Sequence, residues 1–111
     1  MLRQEEIDEL VGQIVARIEP QKVILFGSYA KGTATIRSDV DLLVIKETEL
    51  PIARRTDDLR PLLSRSLIPV DVHVYTPEEV EEYGKDPMAF INSVLKSGRT
   101  VFSSELASVV S

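Results

Sequence analysis

A mixed α/β (α+β) domain, with a small mixed sheet flanked by helices, is what this sequence predicts, and three patterns predict it. Apolar residues recur at steps of three and four from Ile7 to Ile18 and again around Phe90 to Leu95, the spacing of amphipathic helices. Between them lie three short β-rich runs, Lys22 to Phe26, Asp39 to Lys46 and Pro69 to Tyr75, separated by Gly- and Pro-containing breaks. The resulting order of helix, strand, strand, helix, strand, helix fits a helix-covered sheet. It leaves strand direction open. With 111 residues the chain is the size of one domain, 1–111.

The first helix buries Ile7, Leu10, Val11, Ile14, Val15 and Ile18. Glu5, Glu6, Asp8 and Glu9 suit its positive dipole end, and Pro20 stops it. Lys22 to Phe26 reads as a buried strand ended by Gly27, after which Ser28 to Lys31 can form one helical turn before Gly32. Asp39 to Lys46 is the second strand. Pro51 opens a helix expected to reach Arg65 with Leu59, Leu62 and Leu63 inward, kinked or restarted at Pro61. In Pro69 to Tyr75, Val70, Val72 and Val74 point one way, and Asp71, His73 and Tyr75 the other. Thr76 before Pro77, Glu78 and Glu79 is an N-cap followed by proline at the first helical position. The last helix is expected from Pro87 to Lys96, burying Phe90, Ile91, Val94 and Leu95 and ending at Gly98. Arg99 to Phe102 is a small closing strand, and the last six residues are expected to fray.

Composition narrows the function. Net charge is −5 with no cysteine, which excludes thiolate metal sites and argues against a general DNA or RNA binder, since such binding rests on Lys and Arg neutralising phosphates. No run of about 18 apolar residues is present, so no membrane partner is expected. The polar N-terminus, with Arg3, Glu5 and Glu6, argues against export and for a cytoplasmic location.

Three features carry chemistry. Gly27-Ser28 closes a strand and opens a helical turn, where free backbone amides and a positive dipole end attract phosphate; the same dipeptide also marks ordinary turns. Asp39 and Asp41, two apart at a strand start, would share one face roughly 6–7 Å apart at Cα. Their like charges repel unless something positive stands between them. In isolation, the pair also reads as a loop residue followed by an exposed strand end. Asp71, between valines that face the core, stands on the polar face of its strand. If that strand neighbours the second, three carboxylates can meet, hard oxygen donors of the kind Mg²⁺ takes. Two such ions can clamp the attacking and leaving oxygens of a displacement at phosphorus.

In this order, Gly27-Ser28-Tyr29-Ala30-Lys31-Gly32, then Ser38-Asp39-Val40-Asp41-Leu42-Leu43-Val44, then Pro69-Val70-Asp71-Val72, the sequence resembles the minimal nucleotidyltransferases of the DNA polymerase beta superfamily. The resemblance spans nearly the whole chain, including Thr76 to Val80 and Lys96 to Arg99. It implies a polymerase beta-like fold, ATP as substrate and two Mg²⁺ ions. It also implies that Gly27 and Ser28 bind the triphosphate and that Asp39 and Asp41 ligate both ions. Asp71 would ligate the catalytic ion and help to activate the attacking hydroxyl. Members of this family commonly act as antitoxin to a HEPN-domain toxin, some by transferring AMP to a tyrosine of that partner. The expected activity is therefore AMP transfer to a protein hydroxyl within a hetero-oligomer. The alternatives are an antitoxin that occludes its partner by binding, and transfer to a small molecule.

Other residues admit two readings. Lys31 and Arg37 balance triphosphate charge or are solvated loop residues. His73 is structural or catalytic. Tyr29 and Tyr75 pack, or touch a base or partner. Arg54, Arg55, Arg60 and Arg65, interrupted by Asp57 and Asp58, read as a solvated, partly salt-bridged face. Glu78, Glu79, Glu81 and Glu82 read as an exposed helix face.

Overall fold

The computed structural model describes residues 2–104. Helix α1 runs Gln4–Ile18 and buries Ile7, Leu10, Val11, Ile14 and Ile18, the face expected from the sequence. Glu6 accepts the Arg3 backbone N–H at 3.0 Å, tying down the helix start. Glu19, left-handed at φ 48°, ends the helix directly before Pro20.

Strands β1 (Lys22–Phe26), β2 (Val40–Ile45), β3 (Val70–Tyr75) and β4 (Arg99–Ser103) form one sheet in the order β3-β2-β1-β4. β1 pairs antiparallel with both β2 and β4, and β2 pairs parallel with β3. The directions left open by the sequence thus give a mixed sheet. Period-two alternation assigns its faces. Val23, Leu25, Val40, Leu42, Val44 and Val74 pack under α1 and Leu59 in the main core. Ile24, Leu43 and Ile45 pack on the other face with Ile91 and Val94. β2 is therefore covered on both sides, which explains its nearly continuous apolar run. Each fully buried aliphatic side chain here contributes about 1.5–3 kcal/mol.

Two further helices complete the second layer. α4 (Pro77–Tyr83) starts at Thr76, whose side chain accepts the Glu79 N–H while the Glu79 carboxylate accepts the Thr76 N–H, a complete capping box. α5 spans Phe90–Ser97. The short helix α2 (Ser28–Lys31) links β1 to the loop before β2.

Four expectations need correction. The helix expected from Pro51 to Arg65 is instead two 3₁₀ turns, Ile52–Arg54 and Asp57–Leu59, followed by a four-residue helix α3, Arg60–Leu63. Pro61 sits in the first turn of α3, so it restarts the helix where its missing N–H does no harm. Leu59 is fully buried and Leu62 and Leu63 pack against the core, as expected. Asp39 precedes β2 rather than opening it. α5 begins at Phe90, not Pro87, and Phe90 and Leu95 are 44% and 45% exposed where burial was expected. The last six residues lie outside the described residues.

Candidate active site

At one end of the sheet, β1 runs out as β2 and β3 begin. Phe26 stands opposite Asp41 across the antiparallel pair, and Asp41 stands opposite Asp71 across the parallel pair. Period-two alternation turns both carboxylates to the α5 face, and the shared register brings them together. Asp39 joins from the preceding turn. That turn is fixed locally: Ser38 Oγ accepts the Thr35 N–H at 2.8 Å, and the Ser38 N–H returns to the Thr35 carbonyl at 3.0 Å. Asp39 and Asp71 are exposed, and Asp41 is half-buried.

Crowding of negative charge is visible at Asp41. Partial burial, first, and then the Asp71 and Asp39 carboxylates raise its pKa above the usual aspartate value; His73 partly offsets them. Among the described residues, no group of three or more Asp, Glu and His side chains stands ready-made to hold a metal ion. The donor set nevertheless fits a hard divalent cation: three carboxylates, two of them free to turn, whose repulsion a cation between them would relieve.

Gly27 lies against this cluster. Its backbone (φ 75°, ψ −155°) occupies a region open essentially to glycine alone, and a Cβ there would collide with the Asp41 carboxylate. Its carbonyl accepts the N–H groups of Ala30 and Lys31, both at 3.1 Å, closing the single turn of α2. Among the described residues no side chain caps that turn, so none of them competes as an acceptor for its first amides. Ser28 is its first residue, and Lys31 is its last and is exposed. The structure therefore brings Gly27, Asp41, Asp71 and Asp39 together, with Ser28 adjoining them. Lys31 is one turn further away, and Arg37 is an exposed loop residue.

Beside the carboxylates, with Phe26 opposite Asp41, the same face is aromatic. Phe26, His73 and Phe90 form a three-ring cluster with centroids 5.4–5.9 Å apart. His73 thus packs as a ring while staying exposed. Tyr29 packs as well, its hydroxyl accepting the Leu2 N–H at 3.1 Å. A groove of about 700 Å³ lies between α1 and residues 62–67, beneath the other face. It holds none of the three aspartates.

Sequence reasoning missed one element of the site's frame. Arg55 is not a solvated cation: its side chain is 8% exposed and makes a two-pronged bond to Glu79, closest at 2.5 Å. It also donates to the carbonyls of Leu50 at 2.8 Å and Val74 at 3.2 Å. The Arg55 bond is the main reason Glu79 holds its pKa below the usual glutamate value. The capping-box spacing was the available signal, since it turns Glu79 back toward Thr76 and the end of β3. By contrast, Arg54 and Arg60 pair with Asp57 in the open, as expected.

Known proteins agree with this architecture. The profile of the nucleotidyltransferase domain family matches residues 6–100. A candidate protein adenylyltransferase of Methanocaldococcus jannaschii is 29% identical over 106 residues, covering 92% of this chain and 100% of that protein. The crystal structure of a candidate nucleotidyltransferase from Sulfolobus solfataricus superposes with a TM-score of 0.62 at 20% identity, over 89% of this chain and 78% of that one. A toxin–antitoxin structure containing AMP-PNP gives a TM-score of 0.60 at 21% identity, over 86% and 73%. A toxin–antitoxin MntA–HpeT mutant, with two aspartates replaced by glutamate, gives 0.56 at 20% identity, over 92% and 74%. The architecture is that of a nucleotidyltransferase. The chain belongs to the nucleotidyltransferase domain family, and it is an enzyme of that class.

Proposed function

We propose that residues 1–111 form a single minimal nucleotidyltransferase domain that transfers AMP from ATP to a hydroxyl of a partner protein, a HEPN-domain toxin that it neutralises. The observation that carries this reading is the register of Asp41 against Asp71 beside Gly27. It sets two carboxylates and a close-approaching backbone turn around one point. The M. jannaschii relative supports a protein acceptor. The toxin–antitoxin structures support the partner and, through AMP-PNP, an adenine nucleotide.

In this reading the amides and hydroxyl at Gly27-Ser28 bind the distal phosphates, and Lys31 adds positive charge from the far end of the turn. Asp39 and Asp41 would hold two Mg²⁺ ions and Asp71 one of them; when bound, these supply the positive charge that the triphosphate and the reacting phosphorus require. Asp71, exposed on the edge strand, accepts the proton of the attacking hydroxyl. The hydroxyl oxygen bonds to the α-phosphorus, the bond from that phosphorus to the bridging oxygen breaks, and pyrophosphate leaves with the electron pair. The protein's share is to position and to stabilise charge.

The test is intact-mass spectrometry of the HEPN-domain protein encoded beside this chain, after incubation with ATP, Mg²⁺ and this chain. The expected result is a gain of one or more AMP units that is lost with Asp39→Ala/Asp41→Ala. A partner that stays unmodified yet binds tightly would replace transfer with occlusion as the means of neutralisation.

A further inference from the structure

Beyond the three-ring cluster, the catalytic face continues into a groove of about 340 Å³ that the chemistry above does not use. Tyr75 at the end of β3, Tyr83 at the end of α4, and Ala89, Phe90 and Ile91 around the start of α5 line it, with Glu82 and Asp86 beside them. The Tyr75 and Tyr83 rings meet edge to face at 5.8 Å. Phe90 joins the groove to the active site, since its ring touches both His73 and Phe26. Phe90 and Tyr83 are 44% and 42% exposed, and Met88, in the adjoining loop, is 90% exposed. Together they form an apolar surface of a kind that marks interaction sites.

The charge around this groove is negative. Glu78, Glu81 and Asp86 form no ion pair among the described residues, and the pair of Glu82 with Lys85 is 70% exposed on both sides, where such pairs contribute little. Aromatic walls beside carboxylates suit a cation carried on an apolar stem. The rings take the stem and the face of the cation, and the carboxylates take its charge.

The groove also lies on the side from which an acceptor must come. In an in-line displacement the attacking oxygen stands opposite the leaving group. With the distal phosphates at Gly27 on the β1 side, the acceptor approaches over β3, the edge strand in the order β3-β2-β1-β4. Tyr75 ends that strand, roughly 13 Å beyond Asp71, so the groove receives a part of the acceptor surface away from the reacting hydroxyl.

On the reading that the acceptor is a protein, we propose that this groove is its docking site. It receives an arginine or lysine side chain from a basic surface of the acceptor, packed on Tyr75, Tyr83 and Phe90 and charge-matched by Glu82 and Asp86. The full chain is tested with the HEPN-domain protein as probe. Glu82→Lys/Asp86→Lys changes two exposed side chains, giving up the Met88 N–H bond to Asp86, and Tyr83→Ala tests the aromatic wall away from the ring cluster of the active site. Both are expected to weaken partner binding by about ten-fold or more, which is about 1.4 kcal/mol. The charge-reversed and Tyr83→Ala variants are expected to raise KM for the partner with little change in kcat, and to leave ATP affinity in titration calorimetry at the wild-type value. Wild-type partner affinity in the charge-reversed variant overturns the proposal, as does a loss of ATP affinity in place of partner affinity, which would make the groove a nucleobase site. Failure of the wild-type chain to bind the probe overturns it too. Asp39→Ala/Asp41→Ala should abolish transfer and keep partner affinity. If the wild type binds through the groove without labelling the probe, the docking site stands and the transfer reaction falls.

Discussion

Gly27→Ala isolates the contact between the turn and the carboxylates, and Gly32→Ala is its built-in control. Both glycines have positive φ, 75° and 74°, but a Cβ on Gly32 meets none of the described residues within 4 Å, whereas one on Gly27 meets the Asp41 carboxylate. Gly32 is left-handed with ψ 17°, where an alanine costs about 1–2 kcal/mol. Gly27, at ψ −155°, lies where non-glycine residues cost of order 1–3 kcal/mol from backbone strain alone. Relief of the collision then comes mainly from moving Asp41, because the Gly27 carbonyl is held by Ala30 and Lys31. Thermal unfolding should drop by roughly 4 °C per kcal/mol lost, so both variants fold and Gly27→Ala melts lower. Activity separates them far more. A displacement of about 1 Å at a reacting group costs on the order of 10²-fold, so transfer by Gly27→Ala should fall by about that factor, while Gly32→Ala stays within a few-fold of wild type. Circular dichroism melts and transfer assays on the two purified variants measure both quantities. Equal activity in the two would refute the claim that Gly27 is required by its approach to Asp41.

Three further outcomes follow from the same geometry. Because the folded pKa of Asp41 is raised above the ordinary 3.8, the folded state keeps a proton that the unfolded state has lost. Its contribution is therefore complete below that value and is lost as pH rises through the window above it. Urea unfolding should show Asp41→Asn gaining stability relative to wild type as pH rises through this window, and a constant difference would contradict it. Mg²⁺ with ATP should raise the wild-type melting temperature, corresponding to about 2.7 kcal/mol at a hundred-fold excess over Kd, and leave Asp39→Ala/Asp41→Ala unmoved; an unshifted wild type would count against the site. Arg55→Ala leaves Glu79 and two carbonyls without their partner. It should cost about 2–3 kcal/mol in urea unfolding, discounted from the fully buried case because the Glu79 side chain is 24% exposed. A loss under 0.5 kcal/mol, the scale of ordinary surface substitutions, would show the pair to be ornamental.

Much of the frame was legible because local chemistry and tertiary context agree. α1 shows its buried face in the spacing from Ile7 to Ile18, and β3 shows its two faces in Val70, Val72 and Val74 against Asp71, His73 and Tyr75. Thr76 to Glu79 spells out a cap. The segment from Pro51 to Arg65 was misread because its apolar spacing is helical while Pro51, Pro61 and the Arg–Asp pairs around Asp57 favour short turns over one long helix. Phe90 and Leu95 continue a helical period, but α5 packs a narrower face than that period suggests, with Ile91 and Val94 alone buried. The three aspartates and Gly27 could be picked out by order and spacing. Their meeting point could not, because it depends on β2 and β3 running parallel in one register, a long-range pairing that no local pattern encodes. Arg55 and Glu79, 24 positions apart, were hidden for the same reason.

The Val70, Val72, Val74 alternation also has a weakness as an address. Sliding β3 along β2 by two residues would keep each valine on the core side and each polar residue on the other, although one valine would pass the end of β2, yet move Asp71 by roughly 6.7 Å relative to Asp41. Alternation alone does not distinguish the two alignments. What does is an indexing pin at the far end of the strand: Arg55, fixed to the Leu50 and Val74 carbonyls and to Glu79, which itself closes the cap after Tyr75. The ruler that sets the distance between two carboxylates is thus anchored at the opposite end of the sheet from the carboxylates themselves. A change that loosens the anchor would be felt as misalignment at phosphorus well before it is felt as unfolding.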